Sequence, residues 1–544
     1  DADADSDTDV DTAAARSTGD TGETGNTGDT GRNDTTDTGA TLTDTGSEYR
    51  ALLLPAVPMH GDREFFCAEV GGLTAASFTL TLNGLVIPAA TPLPSAVVPG
   101  DELRCVVTPD DGAAVVSAES IVTGGNLLVL ISDDQGTEYV NAYGENIRPV
   151  RTPNVDNLAS EGILFRRAYA STMCSPTRAA MLTGKHVFRT GMTRALRPNV
   201  PEDLFELDDS ELSLPRYLAQ EIPGLYTDEA LGKWHLSHAD MPSPSDHALR
   251  MGFSHYHGAI HPIFDYFDYW KWDDRVVTEV IGTYATTDTA NDTVDRIQNQ
   301  QEPWLLWVGF HAPHAPWHEP APELHTTAFT GPTDDEMMDA MVEAADTELG
   351  RVMAAFTPEQ RAHTTVVFIG DNGTDVDRLQ TPDPNGGKAS VRETGIRVPL
   401  IITGPSITTT GVESQAMVSA IDFFPTLAEL AGAPLDAVQM EAQDGVSIVP
   451  VLQDPTTSVR DTIYQEMGSP PGYGPFENYR QTVRNSDYKL IRYNGDVMLY
   501  DMRGTLVEGS DLMQVLPLAP DAQANHDALL AEMDALMIPE ILPP

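Results

Sequence analysis

The sequence has almost no cysteine and almost no lysine. Three cysteines occur in 544 residues, which excludes a small disulfide-stapled scaffold. Cys67 and Cys105 lie in one β-like region and could bridge, while Cys174 stands apart. An even pair plus a separate third fits an oxidising compartment. Lysine occurs five times, as Lys185, Lys233, Lys271, Lys388 and Lys489. In a chain so poor in lysine, one inside a tight motif is a stronger functional candidate than usual. No apolar run approaches the length of about 18 residues that a membrane-spanning helix needs. Positive charge is scarce as a whole: 32 Lys and Arg against 82 Asp and Glu leave a formal charge of −50. Nucleic-acid phosphates would be repelled, which excludes duplex nucleic acid as a partner. The same charge favours solubility and the retention of divalent cations. The chain begins at Asp1 rather than Met and is read as a processed form whose export signal is missing.

What is present divides into four segments. Residues 1–47 are low-complexity Asp, Thr and Gly, including TGDTGETGNTGDTG. With so little to bury, this stretch cannot offset its ordering entropy and reads as a disordered, self-repelling tether. Residues 48–122 contain alternating strand-like pieces such as FTLTLNGLVI and AAVVSAESIV. They suggest a small immunoglobulin-like β-sandwich, although the buried Trp expected of that fold is absent. From 123 to 455 the pattern is α/β. NLLVLIS, WLLWVGF, TTVVFIG and VPLIITG are continuous apolar runs of the kind that form strands buried on both faces. Helical stretches alternate with them, notably DEMMDAMVEAADTELGRVMAAF and IDFFPTLAELAG. The alternation implies a mostly parallel sheet flanked by helices. Residues 456–544 read as a C-terminal antiparallel meander closed by a helix over ANHDALLAEMDALM.

The chemistry concentrates at the ends of two strands and at one helix start. Asp133 and Asp134 follow NLLVLIS, and Asp371 and Asn372 follow TTVVFIG. In a parallel sheet, ligands collect at the carboxyl ends of strands. Three carboxylates and an amide suit a hard cation, Ca²⁺ or Mg²⁺, and no Cys/His spacing suggests zinc. Either pair alone is weak evidence, because Asp and Asn also end strands as turn formers. CSPTRAAMLTG begins at Cys174 with helix-start grammar: Ser175 as a cap, Pro176 in the first turn, then helix formers. Such a terminus offers free N–H groups to an anion, and Arg178 adds a guanidinium fork.

Together these residues resemble the sulfatase family. Its signature, Cys or Ser, any residue, Pro, Ser or Thr, Arg, then a short gap to Thr-Gly, is matched by Cys174, Pro176, Thr177, Arg178, Thr183 and Gly184. Further blocks follow in order: LGKWHLS with Lys233 and His235, FHAPHAPW with His311 and His314, and GGKASVRETGIRVPLIITGP with Lys388. MGFSHYHGAIHPIFDYFDYW resembles a Gly-Phe plus aromatic block. Thr394 departs from the pattern, standing where a second Gly is expected. The resemblance covers residues 126 to about 500 and implies an alkaline-phosphatase-like fold. It further implies that a formylglycine-generating enzyme oxidises Cys174 to formylglycine, whose hydrate attacks sulfur beside one divalent cation, Ca²⁺ before Mg²⁺. The cation would be held by Asp133, Asp134, Asp371, Asn372 and the modified residue 174. Arg178, Lys233 and Lys388 would neutralise developing charge. His314 would protonate the leaving alcohol, and His235 would serve the later step that regenerates the aldehyde.

The implied substrate is a sulfated small molecule or sulfated carbohydrate. Two rival readings are a phosphoester or phosphonate hydrolase of the same superfamily and a non-catalytic, acidic, calcium-binding surface protein. His255, His257 and His261 could form a metal cluster, but their aromatic setting favours packing or a substrate-side wall. Tyr266, Phe267, Tyr269 and Trp270 could stack on a sugar or belong to the core. The disulfide, the missing Met and the acidic tether point to export: periplasmic, extracellular or lipid-tethered at a cell surface.

Overall fold

The computed structural model describes residues 124–329, 331, 333–435 and 443–536, together with the backbone of six strands between residues 50 and 121. Those six are β1 (Arg50–Leu54), β2 (Phe66–Val70), β3 (Ala76–Leu82), β4 (Leu85–Ile87), β5 (Glu102–Pro109) and β6 (Val116–Ile121). They form two antiparallel sheets, β1–β2 and β4–β3–β5–β6. FTLTLNGLVI supplies β3 and β4, and AAVVSAESIV supplies β6. Cys67 lies on β2 and Cys105 on β5. The bridge expected between their side chains lies outside the described residues, as does the 1–47 tether.

The chain then builds one ten-stranded mixed sheet. Its strands are β7 (Asn126–Ser132), β8 (Ile163–Tyr169), β9 (Thr227–Gly232), β10 (His255–Gly258), β11 (Asp268–Asp273), β12 (Val276–Ile281), β13 (Trp304–Gly309), β14 (Thr364–Gly370), β15 (Leu400–Thr403) and β16 (Val412–Ser419). The spatial order is β12-β11-β10-β9-β13-β7-β14-β15-β8-β16. β10, β9, β13, β7 and β14 form a continuous parallel block. β15, the VPLIITG strand, runs against both its neighbours, as does β11.

The apolar runs form central strands because both faces are covered. In β7, Leu127, Val129 and Ile131 enter one apolar layer, while Leu128 and Leu130 enter the other. All five are at most 1% exposed, each burial contributing about 1.5–3 kcal/mol. α1 (Pro153–Glu161) packs on one face, together with the long helix Asp334–Met353, whose start is closed by a Thr333/Glu336 capping box. α2 (Cys174–Thr183) and the helix Phe423–Leu430 pack on the other. The C-terminal meander is β17 (Ile463–Ser469), β18 (Asn478–Arg484), β19 (Tyr488–Tyr493) and β20 (Asp496–Asp501). The helix Pro520–Leu536 closes one of its faces through Leu529 and Met533.

Two features of this sheet position the chemistry. β7 and β14 are parallel neighbours with Ser132 opposite Gly370, so the residues that follow them emerge side by side. β9 ends at Gly232 with φ 76°, and a Cβ there would fall 2.1 Å from the Gly309 carbonyl oxygen. Only glycine allows that close, left-handed turn. It lets the Lys233 N–H donate to Gly309 at 2.8 Å and swings Lys233 over the strand ends.

Candidate active site

The four strand-end residues form one cradle. The Asp371 N–H donates to the Ser132 carbonyl at 3.0 Å. The Asp134 N–H donates to Asp371 Oδ1 at 3.1 Å, and Asn372 Nδ2 donates to Asp134 Oδ1 at 2.8 Å. Asp133, Asp134, Asp371 and Asn372 are all at most 3% exposed. Asp134 sits at φ 62°, His235 at φ 61° and Ala389, next to Lys388, at φ 66°. A left-handed backbone costs a non-glycine residue about 1–2 kcal/mol. Three such residues adjoin the cradle, where the chain must turn sharply to aim a side chain.

Cys174 enters this cradle as the first residue of α2. Its Sγ lies 3.4 Å from Asp133 Oδ1, 4.0 Å from Asp134 Oδ1 and 3.6 Å from Lys233 Nζ. Burial, then Asp133 and Asp371, pushes the thiol well above its ordinary value. As a thiol it is therefore held protonated and is a poor nucleophile. The cap differs from expectation: Met173 occupies that position without a side-chain bond, and Ser175 Oγ instead accepts from Leu196 N at 3.4 Å. Arg178 is also differently engaged. Its Nη2 and Nε reach Asp371 Oδ2 at 2.9 and 3.3 Å, and its Nη1 donates to the Lys233 carbonyl at 2.7 Å. With the side chain fully buried, the fork holds Asp371 and the Lys233 backbone rather than standing open to an anion.

The lysines and histidines close the ring. Lys233 Nζ pairs with Asp133 Oδ2. Lys388 Nζ pairs with Asp134 Oδ2 at 2.7 Å, and His314 Nε2 lies 3.8 Å from the same oxygen. Burial would raise the Asp134 carboxyl, but Lys388, His314 and Lys233 outweigh it and hold it below the usual carboxylate range. His314 is lowered to about 3 by burial and then by Lys388. Its Nδ1 faces the Ala315 carbonyl at 2.6 Å, so the N–H belongs on Nδ1 and the Nε2 lone pair faces the cradle. His235 Nε2 meets the Leu196 carbonyl at 2.8 Å, and its buried Nδ1 has no partner. Burial and then Lys233 hold that ring neutral.

The donor set fits a hard divalent cation. Three carboxylates are balanced by three cations, and Asn372 Oδ1 is buried with no partner, an acceptor left over as a hard-metal ligand would be. One ligand atom each from Asp133, Asp134, Cys174 and His314 lies within 4.8 Å of the others. All ten candidate residues named from the sequence thus meet or adjoin the same cradle. Two positioning roles were not read there. Tyr266 OH donates to the carbonyls of His311 and His314 at 2.7 Å each, steadying the His314 loop. Thr374 Oγ1 accepts the Gly136 N–H at 2.9 Å and ties the two ligand-bearing loops together. The departing Thr394 has its own use: its hydroxyl accepts from Gly387 N at 2.9 Å and reaches Asp383 Oδ2 at 3.3 Å, closing the loop before Lys388.

The remaining candidates disperse. His255 meets Asp274, His257 meets Asp273 and Arg296, and His261 packs edge-on to Trp272, so the three form no metal cluster. Tyr266 and Tyr269 are buried, Phe267 is partly buried, and Trp270 is 54% exposed. No helix among the described residues is long and apolar enough to cross a membrane.

Comparison with known proteins identifies relatives of the chain. A family profile described as Sulfatase matches residues 125–433, and one described as N-sulphoglucosamine sulphohydrolase, C-terminal, matches residues 387–532. Human N-acetylgalactosamine-6-sulfatase is 30% identical over 366 residues, covering 60% of this chain and 65% of the human protein, so the match leaves about a third of that relative unspanned. The pig enzyme of the same name is 30% identical over 64% of this chain and 71% of its own length. The sulfatase YidJ of Escherichia coli K12 is 27% identical over 76% of this chain and 88% of its own length. Among solved structures, Ps i-CgsB in complex with k-i-k-neocarrahexaose gives a TM-score of 0.63 at 23% identity, covering 76% of this chain and 92% of that one. A protein in complex with its substrate D-glucosamine-2-N,6-O-disulfate gives 0.61 at 20% identity, covering 77% of this chain and 99% of that one. These structural likenesses show the same fold. By the match of the Sulfatase profile over more than half its length, the chain belongs to the sulfatase family.

Proposed function

We propose that this chain hydrolyses sulfate monoesters, with sulfated carbohydrate as the substrate class, and that Cys174 acts after conversion to formylglycine. The observation that carries the reading is a suppressed thiol inside a ring of carboxylates and lysines, 3.4 Å from Asp133 Oδ1 and 3.6 Å from Lys233 Nζ. That setting defeats a cysteine nucleophile and suits an oxygen nucleophile beside a cation. Asp133, Asp134, Asp371 and Asn372 would hold the cation, Ca²⁺ or Mg²⁺ because every donor is a hard oxygen, with Ca²⁺ put first by the family resemblance. When present, formylglycine supplies a hydrated aldehyde oxygen as nucleophile, and the cation supplies Lewis-acid charge at the sulfuryl oxygens.

The chain's own residues do the rest. Lys233 and Lys388 place fixed ammonium groups over the cradle, where developing negative charge is stabilised without reorganisation. Arg178 acts through Asp371, fixing its orientation by two hydrogen bonds. His314, with its N–H held on Nδ1 by Ala315, turns the Nε2 lone pair toward the cradle, where it would take the proton shed by the attacking hydroxyl and pass it to the leaving oxygen. His235 offers its unpartnered Nδ1 for the later proton transfer. Cys174 is fully buried, so a maturation enzyme must meet the chain before it folds. The requirement for such an enzyme and the acidic composition support an exported protein.

Two measurements test this. Intact mass of the peptide containing residue 174 should show an aldehyde in place of the thiol when the protein is made beside a formylglycine-generating enzyme. Rates on matched aryl sulfate and aryl phosphate should favour the sulfate; a preference for phosphate by orders of magnitude would overturn the assignment.

A further inference from the structure

A cavity of about 610 Å³ lies between the loop that carries Lys388 and the C-terminal sheet. Its lining holds three cations, Lys388, Arg392 and Arg480, and no carboxylate. In a chain with 82 acidic residues against 32 basic, that is a local inversion of charge. Lys388 is committed to Asp134, and Arg392 to Asp383 at 2.8 Å. Arg480 has no carboxylate partner among the described residues. Its Nη1 donates to the Ala389 carbonyl at 2.8 Å, and its guanidinium lies over the Tyr493 ring at 5.0 Å. Its other donors meet no partner among the described residues.

Register explains the pairing. Arg480 on β18 stands opposite Tyr493 on β19, and Tyr493 is 37% exposed. Ile491 and Met498 add apolar surface to the same wall. A guanidinium fork presented beside an aromatic face and apolar floor recognises a planar or tetrahedral oxyanion carried on a ring with apolar C–H faces. Lys388 belongs both to the cradle and to this cavity, so the two sites share a wall.

We propose that this cavity receives the part of the substrate beyond the scissile ester, and that Arg480 and Tyr493 select a saccharide bearing a second anionic group on the neighbouring ring. That group is a uronate carboxylate or a further sulfate. The proposal rests on the sulfatase reading and narrows it to polyanionic glycans, against aryl sulfates or singly charged sugars.

The test uses the full, matured chain with sulfated oligosaccharides from chondroitin, heparan and carrageenan, each paired with its own monosaccharide sulfate, and an aryl sulfate alongside. The chain should cleave at least one oligosaccharide with an anionic second ring about tenfold or more better in kcat/KM than the paired monosaccharide, mainly through KM. Arg480→Ala should bring that ratio close to one, and Tyr493→Ala should narrow it. Arg480→Lys should restore part of it, since charge is kept but the fork is lost. Arg480→Ala acting equally on oligosaccharide and monosaccharide would mean only a clamp on the Ala389 loop and would overturn the proposal. An unchanged ratio in that variant, or a ratio near one in the unmodified sequence, would do the same. If the aryl sulfate and monosaccharides are cleaved in those cases, the sulfatase reading survives alone; if no sulfate ester is cleaved, both fall.

Discussion

Lys233 and Lys489 are both fully buried and both paired with carboxylates, yet they belong to regions of opposite character. Lys233 meets Asp133 in the cradle. Lys489 meets Glu393 at 2.9 Å and Glu508 at 2.8 Å, where the C-terminal sheet docks on the main one. Around Lys489 the charges face one another: Glu393 Oε2 takes Arg484 at 2.9 Å and Tyr169 OH at 3.1 Å, while Glu508 Oε2, 3.8 Å from Arg392, lacks a hydrogen bond among the described residues. Around Lys233 acceptors are left over, in Asn372 Oδ1 and His235 Nδ1, and the Cys174 thiol lies beside them without a disulfide. Burial, ion pairing and even a leftover acceptor are thus common to a structural lock and a reactive centre; the Cys174 helix start beside the leftover acceptors separates them. All five lysines are ion-paired, including Lys185 with Glu211 and Lys271 with Asp288. Scarcity of lysine therefore marks a need for buried charge, which motif context must sort into chemistry or architecture.

The strongest way to break this comparison is through the nucleophile position. Cys174→Ala should lower sulfate-ester hydrolysis by about 10³-fold or more, the scale of nucleophile deletions. It should move the melting temperature little, because one small buried side-chain group is lost from an otherwise intact cradle. Activity that persists in this variant would sink the separation of reactive from structural cluster.

Next comes the lock itself. Lys489→Met leaves Glu393 and Glu508 buried without their shared cation and should destabilise the fold by about 3–5 kcal/mol. Denaturant unfolding would report this, while the folded fraction keeps its turnover number. Lys233→Met should show the reverse balance, a large loss of turnover with a smaller loss of stability in the presence of Ca²⁺. A chelator should sharpen the contrast. Removing a cation that binds only the folded state lowers stability by RT ln(1 + [L]/Kd), about 2.7 kcal/mol at 100 times Kd. The Lys233→Met variant should respond differently from the parent to chelation, and Lys489→Met should respond as the parent does.

The two regions also differed in how far they could be read from the sequence. The four oxygen donors were legible because a continuous apolar run fixes where a central strand ends, and parallel neighbours deliver those ends to one edge. Cys174, Pro176 and Arg178 were legible as one helix start. The engagement of Arg178 with Asp371 was not, because it depends on a contact between residues 193 positions apart. Glu393 in RETG and Lys489 in DYKL look like loop and strand surface residues. Only the docking of two sheets reveals them as partners. The Arg480 cavity was hidden for the same reason, being built from register across β18 to β20 and a loop nearly a hundred residues earlier.

Acid should act on the lock before neutral pH does. Glu393 is held at about 2: burial opposes this, but Lys489, Arg484 and Arg397 outweigh it. Its folded value lies below the ordinary 4.5, so its contribution is complete above about pH 4.5 and is lost as pH falls from there toward 2. The loss is on the order of 3 kcal/mol. Unfolding free energies measured between pH 6 and 3 should show this slope, and Glu393→Gln should flatten it.

Glu466 gives the opposite sign in the same C-terminal sheet and the smallest effect. Among the described residues it has no cation partner; burial raises it to about 7. Tyr464 OH donates to its Oε2 at 2.7 Å, while its Oε1 is buried without a partner. A folded value above 4.5 means that the folded chain holds this proton more tightly than the unfolded chain does. The contribution is therefore full below about pH 4.5 and disappears as pH rises through 7. Between pH 6 and 8 the cost is about 1 kcal/mol. Glu466→Gln keeps the shape and removes the titration, so it should erase that part of the slope while leaving the Glu393 slope at lower pH in place. If both slopes vanished together, the two carboxyls would be one coupled unit, and the distinction between a paired lock and an unpaired buried acid would not hold.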